Sequence, residues 1–334
     1  MRSYHLDSGA GIDGLTMRRH EDPTPGPGQV LLAVRATSLS YRELMVARGE
    51  YVLPVKPDVI PNSDGAGEVV AVGPGVTRFR VGDRAAATLF PSWHDGPFGR
   101  EHLPQRGGSL DGMLTELAVI DEGGLVAVPD HLTWEEAATL PCAAVTAWNA
   151  LTGDGPGSPA GQTVVVQGSG GVSLFALQYG KALGARVIAT TSSGEKARRL
   201  KALGADEVID YRAVPDWAGA VVELTGGRGA DRVVDVAGAL ETSLRAVRIG
   251  GQVACVGFLG GAAAPLDPRL LFASGASVRA VAVGSRAQFE AMNRVIEVGG
   301  IRPVVDRVFG FEQAVEAYRY YGEGRAFGKV VIRI

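Results

Sequence analysis

The segment that most restricts the fold runs from residue 163 to residue 283, where six short runs rich in β-branched residues alternate with helix-compatible stretches. The runs cover 163–166, 186–190, 207–209, 232–236, 252–256 and 278–283. Strands this apolar must be covered on both faces, and a helix between successive strands makes them parallel. A doubly wound parallel sheet is therefore expected here. Gly-Ala pairs at 184–185, 204–205 and 229–230 stand where helices should end and the chain re-enter the sheet, a place that suits glycine. They belong to the βα alternation and are not a solenoid repeat.

The chain before this region has a different texture. Residues 1 to about 127 read as short strands punctuated by turns, as in 30–34 after the Pro/Gly cluster 23–28, and in 67–72 before Gly73-Pro74-Gly75. This predicts a mostly β module. Thr133-Trp134-Glu135-Glu136 has the capping-box pattern and opens a helical connector. Residues 286–334 supply two helices and a last strand, 329–333, that is expected to return to the first module. The predicted division is therefore 1–127 with 286–334, and 128–285.

Composition narrows the partners. The chain has 334 residues, enough for two domains, and its 33 basic against 36 acidic residues give a net charge of −3. That balance leaves no electrostatic footprint for nucleic acid or an anionic membrane. Cys142 and Cys255 are the only cysteines, too few for a disulfide framework, which suits a reducing compartment. The start Met-Arg-Ser-Tyr-His-Leu-Asp does not read as a secretory signal, and no window approaches about 18 apolar residues. A cytoplasmic protein with a small-molecule partner is expected.

After the first strand of the parallel region comes Gln167-Gly168-Ser169-Gly170-Gly171-Val172-Ser173, leading into an apolar helix. Glycines in such a loop let the backbone approach a pyrophosphate, whose charge is stabilised by N–H groups at the helix start. Gly168, Ser169, Gly170, Gly171 and Val172 are thus candidates for dinucleotide binding. An acid at the end of the second strand would bind a ribose 2′-hydroxyl. The segment there is Thr190-Thr191-Ser192-Ser193-Gly194-Glu195-Lys196, in which Thr191, Ser192 and Lys196 suit a 2′-phosphate and Glu195 suits the first turn of a helix. NADPH is expected over NADH.

These residues resemble the medium-chain dehydrogenase/reductase superfamily, and within it the zinc-lacking, quinone-oxidoreductase-like branch. The marks are Pro25-Gly26-Pro27-Gly28-Gln29-Val30, Gly65-Ala66-Gly67-Glu68-Val69, Val81-Gly82-Asp83-Arg84, the glycine loop, Leu203-Gly204-Ala205-Asp206 and Phe327-Gly328-Lys329-Val330-Val331. The resemblance implies a GroES-like β domain, a Rossmann domain, a cleft between them and a homodimer. Where zinc-dependent members keep metal ligands, this chain has Ser40, Ser63 and Asp64, with Cys142 as the one thiol. A lone thiol does not make a tetrahedral zinc site, so hydride transfer to a quinone or an α,β-unsaturated carbonyl is expected.

For that chemistry Tyr41 is the first candidate donor, Tyr51 a second, and Ser40 stands where a nicotinamide-ribose contact is expected by resemblance. A core role for Tyr41 and surface packing for Tyr51 are the competing readings. Arg42 and Glu43 read as a local ion pair. By the same resemblance Thr146 lies beside the nicotinamide, and Tyr211 near the 2′-phosphate. Gly257, Phe258 and Val283 follow the fifth and sixth strands, where such sheets bind ligands. Lys329 is expected either at the cofactor or substrate or as an exposed strand lysine. Phe90, Trp93, Phe98, Phe258 and Leu259 are candidates for an apolar substrate wall. Two alternatives stay open: a metal-assisted alcohol dehydrogenase, and an NADPH-binding protein without turnover.

Overall fold

A computed structural model of the chain describes residues 1–153, 157–257 and 266–334. They divide into two compact units, 1–145 with 284–334, and 146–283. The first opens with an antiparallel pair, β1 (Arg2–His5) and β2 (Thr16–Arg19). The long strand β3 (Gln29–Ser38) follows, with Val30, Leu32 and Val34 buried at alternate positions as one face of a pleated strand requires. Helix α1 (Tyr41–Arg48) stops at Gly49, which takes the left-handed conformation (φ 72°) that glycine adopts without steric cost. Then come β4 (Asp64–Val72), β5 (Arg84–Ala87), β6 (Leu117–Asp121) and β7 (Leu125–Ala127). β4 lies antiparallel to β3, and β6 also pairs with β3.

The capping box forms as the sequence predicts: Glu136 N donates to Thr133 Oγ1 at 3.2 Å and Thr133 N to Glu136 Oε2 at 2.8 Å, opening α2 (Trp134–Ala137). This connector belongs with the first unit. The Arg84 guanidinium lies 4.3 Å over the Trp134 ring, and Arg333 Nε donates to Glu135 at 2.6 Å. Such anchoring carries residues 128–145 along with the β module, so the division falls after Val145 and not after residue 127.

From α3 (Val145–Thr152) the chain builds the second unit. Its strands are β8 (Thr163–Gln167), β9 (Arg186–Thr191), β10 (Glu207–Asp210), β11 (Ala230–Asp235), β12 (Val247–Cys255) and β13 (Ser277–Ala280). They lie in the order β10-β9-β8-β11-β12-β13, every pair parallel. This is the doubly wound Rossmann order, which reverses direction beside the first strand. Helix α4 (Gly171–Ala182) follows β8 and α5 (Gly194–Ala202) follows β9. Val165, Ile188, Val233 and Val253 are fully buried on successive strands, each contributing roughly 1.5–3 kcal/mol of burial. The sixth strand is shorter than the apolar run suggests. It ends at Ala280, and three residues on Val283 takes a left-handed backbone (φ 59°) that is not extended.

The chain then returns to the first unit as β14 (Val305–Gly310) and β15 (Lys329–Arg333). As expected for the last strand, β15 inserts beside β3, antiparallel with Val331 opposite Ser38, and pairs in parallel with β14. Val330 and Ile332 complete a core with Leu39, Leu44, Phe311 and Tyr318.

Candidate functional site

Three strand ends meet in the first unit. β3 finishes at Ser38, β4 starts at Asp64 directly opposite, and β15 starts at Lys329. Lys329 Nζ donates to Leu39 O at 2.7 Å, to Ser40 Oγ at 2.8 Å and to Asp64 Oδ2 at 3.1 Å. An ammonium has three protons, and all three are committed. Ser38 Oγ donates to the same Asp64 oxygen at 2.7 Å. Lys329 is 2% exposed and Asp64 0%, so each charge depends on the other for its place in the interior. Of the two expectations for Lys329, the exposed strand lysine is thereby corrected: the pull of Asp64 and two oxygens draws the side chain inward.

Ser40 is the N-cap residue of α1, yet its hydroxyl makes no capping bond. Serine is favoured at this position because it can satisfy a helix N–H; here the hydroxyl is diverted to Lys329 and stands 3.4 Å from Asp64 Oδ2. Asp64 Oδ1 is buried with no hydrogen-bond partner among the described residues. Cys142 lies alongside, on the π-helical turn Leu140–Ala144. Burial, then the Asp64 carboxylate, push its thiol up to about 12, against the pull of Lys329, Arg42 and a hydrogen bond with Ser40.

Arg42 and Glu43 form the local ion pair read from the sequence, with Nη1 3.0 Å from both Glu43 oxygens, but the pair is buried. Glu43 also accepts from Ser63 N and Oγ at 3.1 and 2.9 Å. The Arg42 guanidinium lies 4.6 Å from the Tyr51 ring centroid, over its face. Tyr51 is thus engaged locally. Tyr41 is half-buried against the core of the first unit, with no hydrogen-bond partner for its hydroxyl among the described residues. Phe90, Trp93 and Phe98 pack on one another, with ring centroids 4.7–6.4 Å apart. Phe258 and Leu259 lie outside the described residues.

The set around Asp64 does not fit zinc. Ser40 and Ser63 offer hydroxyls, the Asp64 carboxylate is clasped by an ammonium, and Cys142 is the one thiol, whereas a tetrahedral zinc site takes several thiolate, imidazole or free carboxylate ligands. Among the described residues, no group of three or more His, Cys, Asp or Glu side chains could hold a metal ion.

The glycine loop of the second unit has opposite character. Gly168 has φ 76° and donates its N–H to Thr190 O at 2.9 Å, tying the loop across to β9. Gly170 is the N-cap of α4, so no side chain satisfies the first N–H groups of the helix. A Cβ added at Gly168 or Gly170 would meet nothing within 4 Å. Backbone donors facing open space at a helix start suit a pyrophosphate. Ser169 is buried and Gly171 and Val172 open the helix. At the end of β9, Thr191 Oγ1 is buried without a partner among the described residues, and Ser193 caps α5 through Lys196 N. Tyr211 is exposed, its N–H bound to Thr191 O at 3.0 Å, so it stands next to Thr191 and Ser192. Thr146 is buried at the start of α3. A Cβ on Gly257 would come 2.9 Å from Val236 O, so the chain leaving β12 needs glycine to pass the end of β11.

Sequence reasoning missed several residues here. Asp235, at the end of β11, accepts from the N–H groups of Ala237, Gly238 and Ala239 at 2.9–3.2 Å and from Ser243 Oγ at 3.0 Å. Gln167 reaches the same turn through Ala237 N and Ser243 Oγ. An Asp followed by small residues at a strand end was the available signal. Asn149 and Arg279 were missed as well; nothing in their spacing links them.

Residues 26–130 match the family described as alcohol dehydrogenase GroES-like domain, and residues 171–297 the family described as zinc-binding dehydrogenase. A zinc-type alcohol dehydrogenase-like protein of Schizosaccharomyces pombe, C1773.06c, is 40% identical over 98% of this chain and 97% of its own length. The quinone oxidoreductase of Pseudomonas aeruginosa is 33% identical, with 96% of each chain covered. Among solved structures, the 2-octenoyl-CoA carboxylase reductase CinF, in complex with NADP and 2-octenoyl-CoA, superposes with TM-score 0.87 at 27% identity, covering 99% of this chain and 87% of that one.

Proposed function

Given that the chain belongs to the medium-chain dehydrogenase/reductase superfamily of oxidoreductases, we propose that it is a zinc-independent, NADPH-dependent reductase of quinones or α,β-unsaturated carbonyls. The observation that carries this reading is the Lys329–Asp64 ion pair among Ser38, Ser40 and Cys142. That set does not make up the three or four ligands a catalytic metal needs, which favours chemistry other than alkoxide activation by a Lewis acid. A quinone or enone needs only a hydrogen-bond donor or proton at the oxygen where charge develops.

Bound NADPH would supply the hydride. The backbone of Gly168, Ser169, Gly170, Gly171 and Val172 would hold its pyrophosphate, and Thr191, Ser192, Lys196 and Tyr211 its 2′-phosphate. NADPH is favoured over NADH because no acid ends β9, and CinF was solved with NADP. Thr146, Gly257 and Val283 would orient the nicotinamide end. As donor to the acceptor oxygen Tyr41 is preferred over Ser40, whose hydroxyl is held by Lys329, and over Tyr51, whose ring is packed against the buried Arg42 guanidinium. A homodimer is supported by β13, an outer strand of the sheet, with Val278 on it and Phe272 nearby 37% and 89% exposed. Two cysteines outside any disulfide suit the cytosol, and no helix among the described residues is long and apolar enough to cross a membrane.

The test is NADPH oxidation by dialysed protein in excess EDTA, across quinones, 2-alkenals and enones, with NADH in parallel. Chelator-insensitive turnover with an NADPH preference is expected. A second reading, alcohol dehydrogenation, is favoured by the S. pombe relative's description; activity confined to an alcohol plus added Zn²⁺ would put it in place of ours.

A further inference from the structure

The backbone at Val283 is a feature that the parallel sheet does not require. A β-branched residue at φ 59° is a genuine outlier, and such outliers persist only when their surroundings hold them. Val283 lies three residues beyond the end of β13, at the carboxyl edge where open α/β sheets take ligands. What holds it is visible. Asn149, buried on α3, donates from Nδ2 to Val283 O at 2.7 Å.

The Asn149 amide has one orientation available. Arg279 Nη1 donates to its Oδ1 at 3.0 Å, so the nitrogen must face Val283, and Arg279 Nη2 donates to the Asn149 carbonyl at 2.6 Å. The end of α3 is shaped around this clamp: a Cβ on Gly153 would come 2.2 Å from Asn149 Oδ1 and 3.0 Å from Arg279 Nη2. Asn149 and Thr146 are three residues apart on one helix, hence on neighbouring positions of one face.

We propose that Asn149, oriented by Arg279, is a positioning residue for the nicotinamide end of the cofactor. It locks the Val283 backbone in its left-handed conformation and fixes that strand end relative to Thr146. The inference rests on the NADPH reading above and adds two residues to it. Neither touches the reacting atoms; both act through the backbone at 283.

The experiment compares two ligands on the full-length protein by fluorescence and calorimetric titration: NADPH, and 2′,5′-ADP, which has no nicotinamide. Asn149→Asp keeps the acceptor for Arg279 but sets a carboxylate oxygen against Val283 O. Its Kd for NADPH should rise about tenfold, the order expected for one buried hydrogen bond turned to repulsion, while that for 2′,5′-ADP stays within about twofold of wild type. Adding Val283→Gly should restore most of the NADPH affinity, because glycine takes this φ without a clamp. If Asn149→Asp does not fold, Arg279→Gln reads the same effect, with a smaller rise for NADPH alone. An unchanged NADPH Kd, or equal weakening of both ligands with a lowered Tm, overturns the clamp. Wild-type protein that binds neither ligand overturns the NADPH reading itself, and the clamp's role falls with it.

Discussion

The knot around Lys329 and the loop around Gly170 are both built at strand ends, yet they are opposites. In the knot, side chains bind one another: an ammonium with three acceptors, a carboxylate oxygen with three donors, a serine drawn away from its helix, with Asp64 Oδ1 left over among the described residues. In the loop, side chains are missing where they would matter, and backbone N–H groups face space that a Cβ would not find filled. An interior site whose charges are held by its own side chains is fixed by the protein's stability, whereas a loop of bare backbone donors awaits a ligand. Mutations in the two places should therefore be felt in different measurements.

The largest effect is expected from Lys329→Met, which strands the Asp64 carboxylate at zero exposure. Breaking one side of a buried pair costs about 3–5 kcal/mol, so the urea midpoint of the first unit should fall steeply. Adding Asp64→Asn should recover part of the loss; a single mutant as stable as wild type would mean the knot is not sealed. Gly170→Val is the converse. The backbone there (φ −78°) accepts any residue and an added Cβ meets no atom within 4 Å, so Tm should hold within a degree or two while NADPH affinity drops about a hundredfold, as when a charged group loses its hydrogen bonds. Parallel loss of Tm and affinity would erase the contrast between the sites. The smallest effect concerns Cys142. Its thiol titrates near 12 in the folded chain, raised by burial and Asp64, against about 9 unfolded. The folded state therefore holds the proton more tightly. The stabilisation is fully present below pH 9 and is lost progressively as pH rises toward 12. Urea midpoints should decline from pH 9 to pH 11 more steeply for wild type than for Cys142→Ala, and equal slopes would remove Cys142 from the knot's electrostatics.

The two sites also differ in how legible they were. The loop is local: a β-branched run, glycines and an apolar helix within about twenty residues state its geometry, and the parallel sheet around it follows from the alternation of strands and helices. The knot is assembled from residues 40, 64, 142 and 329, each unremarkable in its own stretch. Ser40 and Asp64 could be placed only by resemblance, and Lys329 reads equally as a cofactor or substrate contact and as an exposed strand lysine, because no local pattern announces a partner on another strand. The boundary at 127 failed for a related reason: composition changes there, but Trp134 and Glu135 are claimed by Arg84 and Arg333 from distant strands. Asn149 and Arg279 went unnoticed because their pairing depends on how α3 crosses the end of β13.

Asp64 and Lys329 are 265 residues apart in the chain, with the whole of the second unit between them. At roughly 5–20 residues per second, a ribosome needs about 13–53 s to pass from one to the other. For that interval the nascent β3 has no β15 beside it, and a carboxylate destined for the interior stays in water. The second unit can finish folding while the first still carries an unpaired strand, the kind of surface that recruits neighbouring chains. The residues that settle the charge of the first unit are thus among the last to arrive, and its quality control is in effect deferred to the end of translation.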